Sequence, residues 1–315
     1  MKLAGLMRRK VAVLNWIGGA ALAVVANAAH ALAEPWQLNM TQGVTDTSKE
    51  VYAMHMYAFY VCVVIGVVVF GAMIWAMIFH RKSRGAVAAR WSHNTHVEVI
   101  WTILPIIILV SLAWPATNVL LNMAYTEKSD MTIKVTGYQW KWGYDYINVG
   151  DKPYHVHFIS RLDPLSDKTR ELKSGMDPNA VVVKDDKGNE EKTYLLDVDK
   201  PLVIPADTKV RFLVTGDDVI HAWWVPQIGW KQDAIPGIIN DAWTEVHDVG
   251  IYRGQCAELC GQDHGFMPIV VKVVSKADFQ TWIDQQESAM HPATATPAAP
   301  AATAPNPPPA APSAS

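Results

Sequence analysis

Between Glu50 and Arg81 the chain runs for 30 residues without Asp, Glu, Lys or Arg, and between Glu98 and Glu127 for another 28. Each window holds a near-continuous apolar stretch, residues 56–79 and 99–121, long enough to cross the ~30 Å hydrocarbon core of a bilayer. Inside that core every backbone polar group must be satisfied within the segment, which leaves helices as the economical solution. Two transmembrane helices are therefore predicted, over 53–80 and 98–123. Tyr52, Trp75, Trp91, Trp101 and Tyr125 fall near the ends of these spans, at the depth where aromatic rings anchor. Pro105 and Pro115 lie inside the second span and predict a bend that neighbouring groups can accommodate.

The linker 81–97 carries Arg81, Lys82, Arg84 and Arg90 and no acid until Glu98. The positive-inside rule places this loop in the cytoplasm, so 34–52 and everything after about residue 122 are predicted outside. The N-terminus gives the same orientation. Arg8, Arg9 and Lys10 precede an apolar stretch, 11–26, and Ala31-Leu32-Ala33 supplies small residues at a cleavage site. Residues 1–33 read as a signal peptide; a retained third helix is the alternative, but its apolar stretch is short for a span of ~20 residues.

Residues 127–290 have another texture. Short β-branched runs such as 131–136, 210–215 and 269–274 alternate with Gly, Pro and Asp turn signals, which predicts an antiparallel sandwich or barrel. Residues 160–193 read as a long surface insertion, 277–288 as a short closing helix, and 291–315, with 10 Ala and 8 Pro, as a disordered tail. Residues 122–290 hold 26 Asp and Glu against 18 Lys and Arg, so the net charge of −3 hides an acidic external domain. That balance argues against nucleic acid as a partner and suits a basic one or, equally, a solubilising surface. Three cysteines are too few for a disulfide scaffold.

Two of those cysteines stand in Gly254-Gln-Cys256-Ala-Glu258-Leu-Cys260-Gly-Gln-Asp-His264-Gly-Phe-Met267-Pro268. Thiol, imidazole and thioether on one loop form the soft donor set that selects copper. Two thiolates exceed the need of a mononuclear site and fit two bridged copper ions. The second histidine is expected from His221, in Asp217-Asp218-Val-Ile-His221; His155, His157 and His247 lack that context, the first two being assigned to the insertion. A Cys256–Cys260 disulfide and a Cys2His2 zinc site use the same residues and remain open from spacing alone. Cys62 reads as a small apolar residue of the first helix.

The hairpin, the copper-type loop, Asp218-Val-Ile-His221, Asp233-Ala-Ile-Pro-Gly237 and the run from Tyr138 through Trp140 and Trp142 to Tyr146 together resemble subunit II of haem–copper cytochrome c oxidases, in order over residues 45–285. The resemblance implies a cupredoxin-like Greek-key β-barrel behind a two-helix hairpin, in a bacterial inner membrane with the barrel outside. It implies a dinuclear CuA centre: Cys256 and Cys260 bridging, His221 and His264 binding one copper each, Met267 and the Glu258 carbonyl completing the shells. The Glu258 side chain is similarly expected at a Mg²⁺ or Mn²⁺ shared with subunit I. Trp140 resembles the residue through which cytochrome c delivers an electron, Asp145, Asp217 and Asp218 match docking acids, and Glu98 matches the mouth of a proton path into subunit I. Subunit I, and with it subunit III, are the implied membrane partners. The chain has no Cys-x-x-Cys-His haem attachment, so no complete oxygen-reducing cycle is expected on it. A quinol-oxidase subunit II would share the hairpin without the ligands; a CuA-type reductase domain, as in nitrous oxide reductase, would share the loop without the hairpin. Ile238, where the family commonly has Arg, and Lys141, where it has an aromatic, depart from the pattern.

Overall fold

The computed structural model describes residues 37–171, 174–184 and 190–290. The predicted signal peptide and the Ala/Pro tail lie outside these residues.

Helix α1 spans Asp46–Phe79 and α2 spans Thr95–Ala124. Both are long and apolar enough to cross a membrane, and much of their apolar surface is uncovered, with Val67 69% and Trp114 76% exposed. Such surfaces require lipid or partner subunits as cover. Across the hairpin Tyr57 Oη donates to Ser111 Oγ at 3.0 Å. Pro105 and Pro115 stay within one continuous helix.

Helix α1 begins at Asp46 rather than at 53. Thr45 and Ser48 form a capping box, which satisfies orphan amides of the first turn. The same Thr45 donates its hydroxyl to Ile228 O at 2.8 Å, and Val44 N donates to Gln227 O at 2.9 Å. The helix start is thus built partly from a turn of the external domain. At the other helix, Trp243 Nε1 donates to Asn122 O at 3.0 Å and Lys209 Nζ to Tyr125 O at 2.8 Å. These two joints hold the domain against the hairpin.

The external domain contains β1 (Met131–Tyr138), β2 (Lys141–Val149), β3 (Lys152–Ser160), helix α3 (Pro164–Arg170), β4 (Val182–Lys184), β5 (Glu190–Lys192), β6 (Leu202–Pro205), β7 (Val210–Gly216), β8 (His221–Trp224), β9 (Lys231–Ala234), β10 (Asn240–Thr244), β11 (Gly250–Cys256), β12 (Pro268–Val274) and helix α4 (Lys276–Met290). One sheet has the order β10-β7-β1-β2-β3, the second β6-β12-β11-β8-β9, and β4 pairs with β5. Alternation places Met131, Ile133 and Val135 of β1 and Val210, Phe212 and Val214 of β7 in the core. Large aromatics fill the space between the sheets; Phe212 stacks on Trp223 with ring centroids 5.3 Å apart.

The strand directions, the insertion and two histidine placements differ from expectation. The sheets are mixed, because β1 runs parallel to β7 and β12 parallel to β6. The domain is a pair of curled, cupredoxin-like sheets, bridged by backbone pairing at Gly216–Pro236. The segment after β3 is not merely superficial, since Ser166, Thr169, Val181 and Thr193 are buried. His155 and His157 belong to β3, not to that segment.

Candidate metal centre

Neighbouring strands deliver the predicted ligands to one end of the domain. His221 opens β8, Cys256 closes β11, and the loop from β11 to β12 carries Cys260, His264 and Met267. Strands β8 and β11 pair with Trp223 opposite Cys256, and Ala257 N donates to Ala222 O at 3.0 Å. That register brings His221 and Cys256 together across 35 residues of sequence.

The two thiols are free, with their sulfurs 3.8 Å apart. His221 Nδ1 is 4.0 Å from Cys256 Sγ, and His264 Nδ1 is 3.4 Å from Cys260 Sγ. Met267 Sδ lies 3.5 Å from Cys260 Sγ, and the Cys256 thiol donates to Glu258 O at 3.4 Å. The donor atoms of His221, Cys256 and Cys260 all fall within 4.8 Å of one another. A metal–thiolate bond is ~2.3 Å, so both sulfurs can reach one ion. The donors fit a soft metal: two sulfurs, an imidazole on either flank and a thioether that is 1% exposed.

Burial resists ionisation of Cys256, but its hydrogen bonds, with His221 foremost, outweigh this and hold the thiol below its ordinary value. Burial and then the charge of Cys256 push Cys260 upward.

Four further residues, which sequence reasoning did not place at the site, hold the ligands. Asp218 Oδ1 accepts from His221 Nε2 at 2.9 Å, leaving Nδ1 toward Cys256. Gly137 permits the ring's position, for a Cβ there would sit 2.8 Å from His221 Cδ2. Trp142 packs edge-on against His221 and donates Nε1 to Met267 O at 3.3 Å. Gln139 Nε2 donates to Cys260 O at 2.9 Å. No local motif flags these contacts; Asp218, expected as a docking acid, also contacts His221.

The remaining predicted residues lie apart or at the margin. Trp140 rests against the metal-binding loop, its Cζ2 3.2 Å from where a Gly261 Cβ would be. Asp145 pairs with His157 (Nδ1–Oδ1 2.6 Å), while Asp217 is exposed. Burial, followed by the negative charges of Asp217 and Asp145, raises the Tyr138 phenol, which locates both acids near one face. Lys141 Nζ stands 5.6 Å from the Tyr138 ring centre. Ile238 is 51% exposed. Glu98 is at the far end of α2, where its Oε1 accepts from His93 Nδ1 at 2.7 Å and from Asn94 N at 3.3 Å.

The family described as cytochrome c oxidase subunit II, periplasmic domain, matches residues 131–274, and its transmembrane-domain counterpart matches 33–119. A probable cytochrome c oxidase subunit 2 of Rickettsia bellii is 39% identical over 249 residues, covering 79% of this chain and 84% of the relative. A cytochrome c oxidase subunit 2 of Cereibacter sphaeroides is 39% identical over 209 residues, 66% of each chain. The crystal structure of the periplasmic domain of subunit II of the Bradyrhizobium japonicum cytochrome oxidase is 36% identical, covers 52% of this chain and 98% of that one, and has a TM-score of 0.40. With the two helices as a two-pass inner-membrane anchor and the β-domain on the periplasmic side, the chain belongs to the cytochrome c oxidase subunit II family, as the electron-accepting subunit of that multi-subunit oxidoreductase.

Proposed function

We propose that the cluster at His221, Cys256 and Cys260 holds a dinuclear copper (CuA) centre, loaded from cytochrome c and discharged to haem in subunit I, where oxygen is reduced and protons are translocated. The observation that carries this reading is the pair of sulfurs 3.8 Å apart with His221 beside one and His264 with Met267 beside the other. Cys256, Cys260, His221, His264, Met267 and the Glu258 carbonyl would hold the centre. When bound, such a centre would supply a one-electron carrier whose charge change is spread over two metals.

The protein's own contribution is rigidity and access. Buried His221, Cys256, Cys260 and Met267 exclude water from most of the site, and pairing of β8 with β11 places His221 beside Cys256. Trp140 is the electron-input residue, because its ring packs on the loop immediately after Cys260. Asp145 and Asp217 orient a basic cytochrome c toward it, and Asp218 adds to that field while holding His221. The Glu258 side chain is proposed to reach a Mg²⁺ or Mn²⁺ shared with subunit I. Glu98 is proposed to receive protons at the cytoplasmic mouth of a path into subunit I, with subunit III completing the membrane assembly.

Metal analysis and EPR of the purified complex test the copper assignment. Two coppers per chain and a signal shared between two nuclei are expected. Zinc in place of copper, with no EPR signal shared between two copper nuclei, would overturn it.

A further inference from the structure

The segment between β3 and β6 is fastened to the metal-bearing strands at two points. At its C-terminal end Asp197 pairs with Arg253 (Oδ1–Nη1 3.0 Å), a β11 residue that is 5% exposed and lies three positions before Cys256. At its other end Arg170, the last residue of α3, reaches the loop itself. Its guanidinium carbon stands 4.4 Å from the centre of the Phe266 ring, and its Nη1 is 3.5 Å from Asp263 Oδ1. Asp263 and Phe266 bracket His264 in a single 3-10 turn, closed by Phe266 N donating to Asp263 O at 2.9 Å. That turn has no side-chain cap of its own.

The anchor behind Arg170 is firm. Asp163 caps α3 by accepting from Ser166 N at 2.9 Å, and Ser166 (0% exposed) accepts from Leu195 N at 3.3 Å. Arg170 Nε donates to Asp167 Oδ1 at 2.7 Å, which fixes the plane of the guanidinium. A planar, charged fork can lie on an aromatic face and direct an N–H at a carboxylate together; an ammonium cannot do both.

We infer that Arg170 is a positioning residue for His264: by gripping Asp263 and Phe266 on either side, it holds the imidazole toward Cys260. This rests on the metal-centre reading above. Ion pairs open to solvent, as this one is with side chains 29% and 24% exposed, add little stability of their own, so its effect falls on ligand orientation rather than on melting.

The test uses the purified oxidase complex with Arg170→Gln and Asp263→Asn, reading copper loss to a chelator, the copper EPR signal and the melting temperature. For Arg170→Gln, copper loss about tenfold faster, the low end for residues that orient metal ligands, is expected, with an altered EPR signal and near-wild-type melting. Asp263→Asn, which keeps the contact with Phe266, should shift both copper readouts in the same direction by less. Wild-type release and spectra in both variants would overturn the inference, as would lowered melting with unchanged copper release. A wild-type complex without copper would instead overturn the metal-centre reading and the inference with it.

Discussion

His221 Nε2 donates to Asp218 Oδ1 at 2.9 Å while the same carboxylate accepts the backbone amides of Gln139 and Val219, each at 2.7 Å. The carboxylate is thereby fixed by two strand ends before it orients the imidazole. Partners of this kind behind a metal-binding histidine set its tautomer. Asp218→Asn should lower copper affinity by about 10–100-fold, because an amide cannot accept from all three donors. Chelator competition on the purified complex measures this. A variant with unchanged affinity and only a weakened salt dependence of cytochrome c oxidation would return Asp218 to a docking role alone.

The same pair gives a pH signature in the metal-free protein. Burial works against charge on His221, but Cys256 and Asp218 together raise it; burial works against charge on Asp218, but His221 and the two amides lower it. A raised histidine contributes fully below its unfolded value of ~6.5 and loses that contribution as pH rises through the folded value. A lowered carboxyl contributes fully above ~3.9 and loses it as pH falls through the folded value. The melting advantage of wild type over Asp218→Asn should therefore peak between about pH 4 and 6.5. Copper affinity should climb with pH across that range, since binding displaces protons. An advantage that is flat up to pH 9 would count against the ion pair.

Gly137→Ala should damage the site without removing a ligand. Its Cβ would approach His221 Cδ2 to 2.8 Å and Cγ to 3.0 Å, and the ring, 0% exposed and flanked by Trp142, has no room to retreat. Overpacking of this kind costs about 1–3 kcal/mol. Reduced copper content with retained assembly of the subunit is the expected result; wild-type copper content would show that the ring can shift.

The spans and the ligand loop are legible because each is local. Thirty uncharged residues leave few alternatives to a helix in lipid, and Cys256, Cys260, His264 and Met267 fall within one turn-rich stretch. What escapes the sequence is what arrives from a distance. The start of α1 is set by Thr45 reaching Ile228, 183 residues along the chain. The parallel pairing of β1 with β7 joins strands separated by two hairpins and an insertion, and alternation alone cannot report its direction. Gly137, Gln139 and Trp142 lie around the first tight turn of the domain, and only the curl of the sheets brings them against His221 and the loop.

Trp140→Phe and Trp140→Ala separate electron input from metal binding. The ring packs on the loop beside Gly261, yet supplies no donor to the cluster. Reduction of the complex by cytochrome c should slow by at least about tenfold in the Ala variant, a barrier increase of ~1.4 kcal/mol, with the copper EPR signal intact. Stopped-flow reduction kinetics decide; an unchanged rate would reject Trp140 as the input residue.

Glu98 separates a helix cap from a proton path. Its Oε1 accepts from His93 Nδ1 and from Asn94 N at the start of α2, where Asn94 already caps by accepting from His96 N at 3.1 Å. A carboxylate at a helix N-terminus is favourable with no further role, so position alone does not argue for proton transfer. Glu98→Gln keeps both acceptor contacts and the helix start but removes the exchangeable acid. If Glu98 serves only the helix, turnover and proton uptake in this variant remain those of wild type. If it receives protons, steady-state turnover and proton uptake fall while reduction of the complex by cytochrome c keeps its rate, because the copper-type site lies beyond the opposite end of α2. Measuring proton uptake and single-turnover reduction on the same preparation distinguishes the two outcomes.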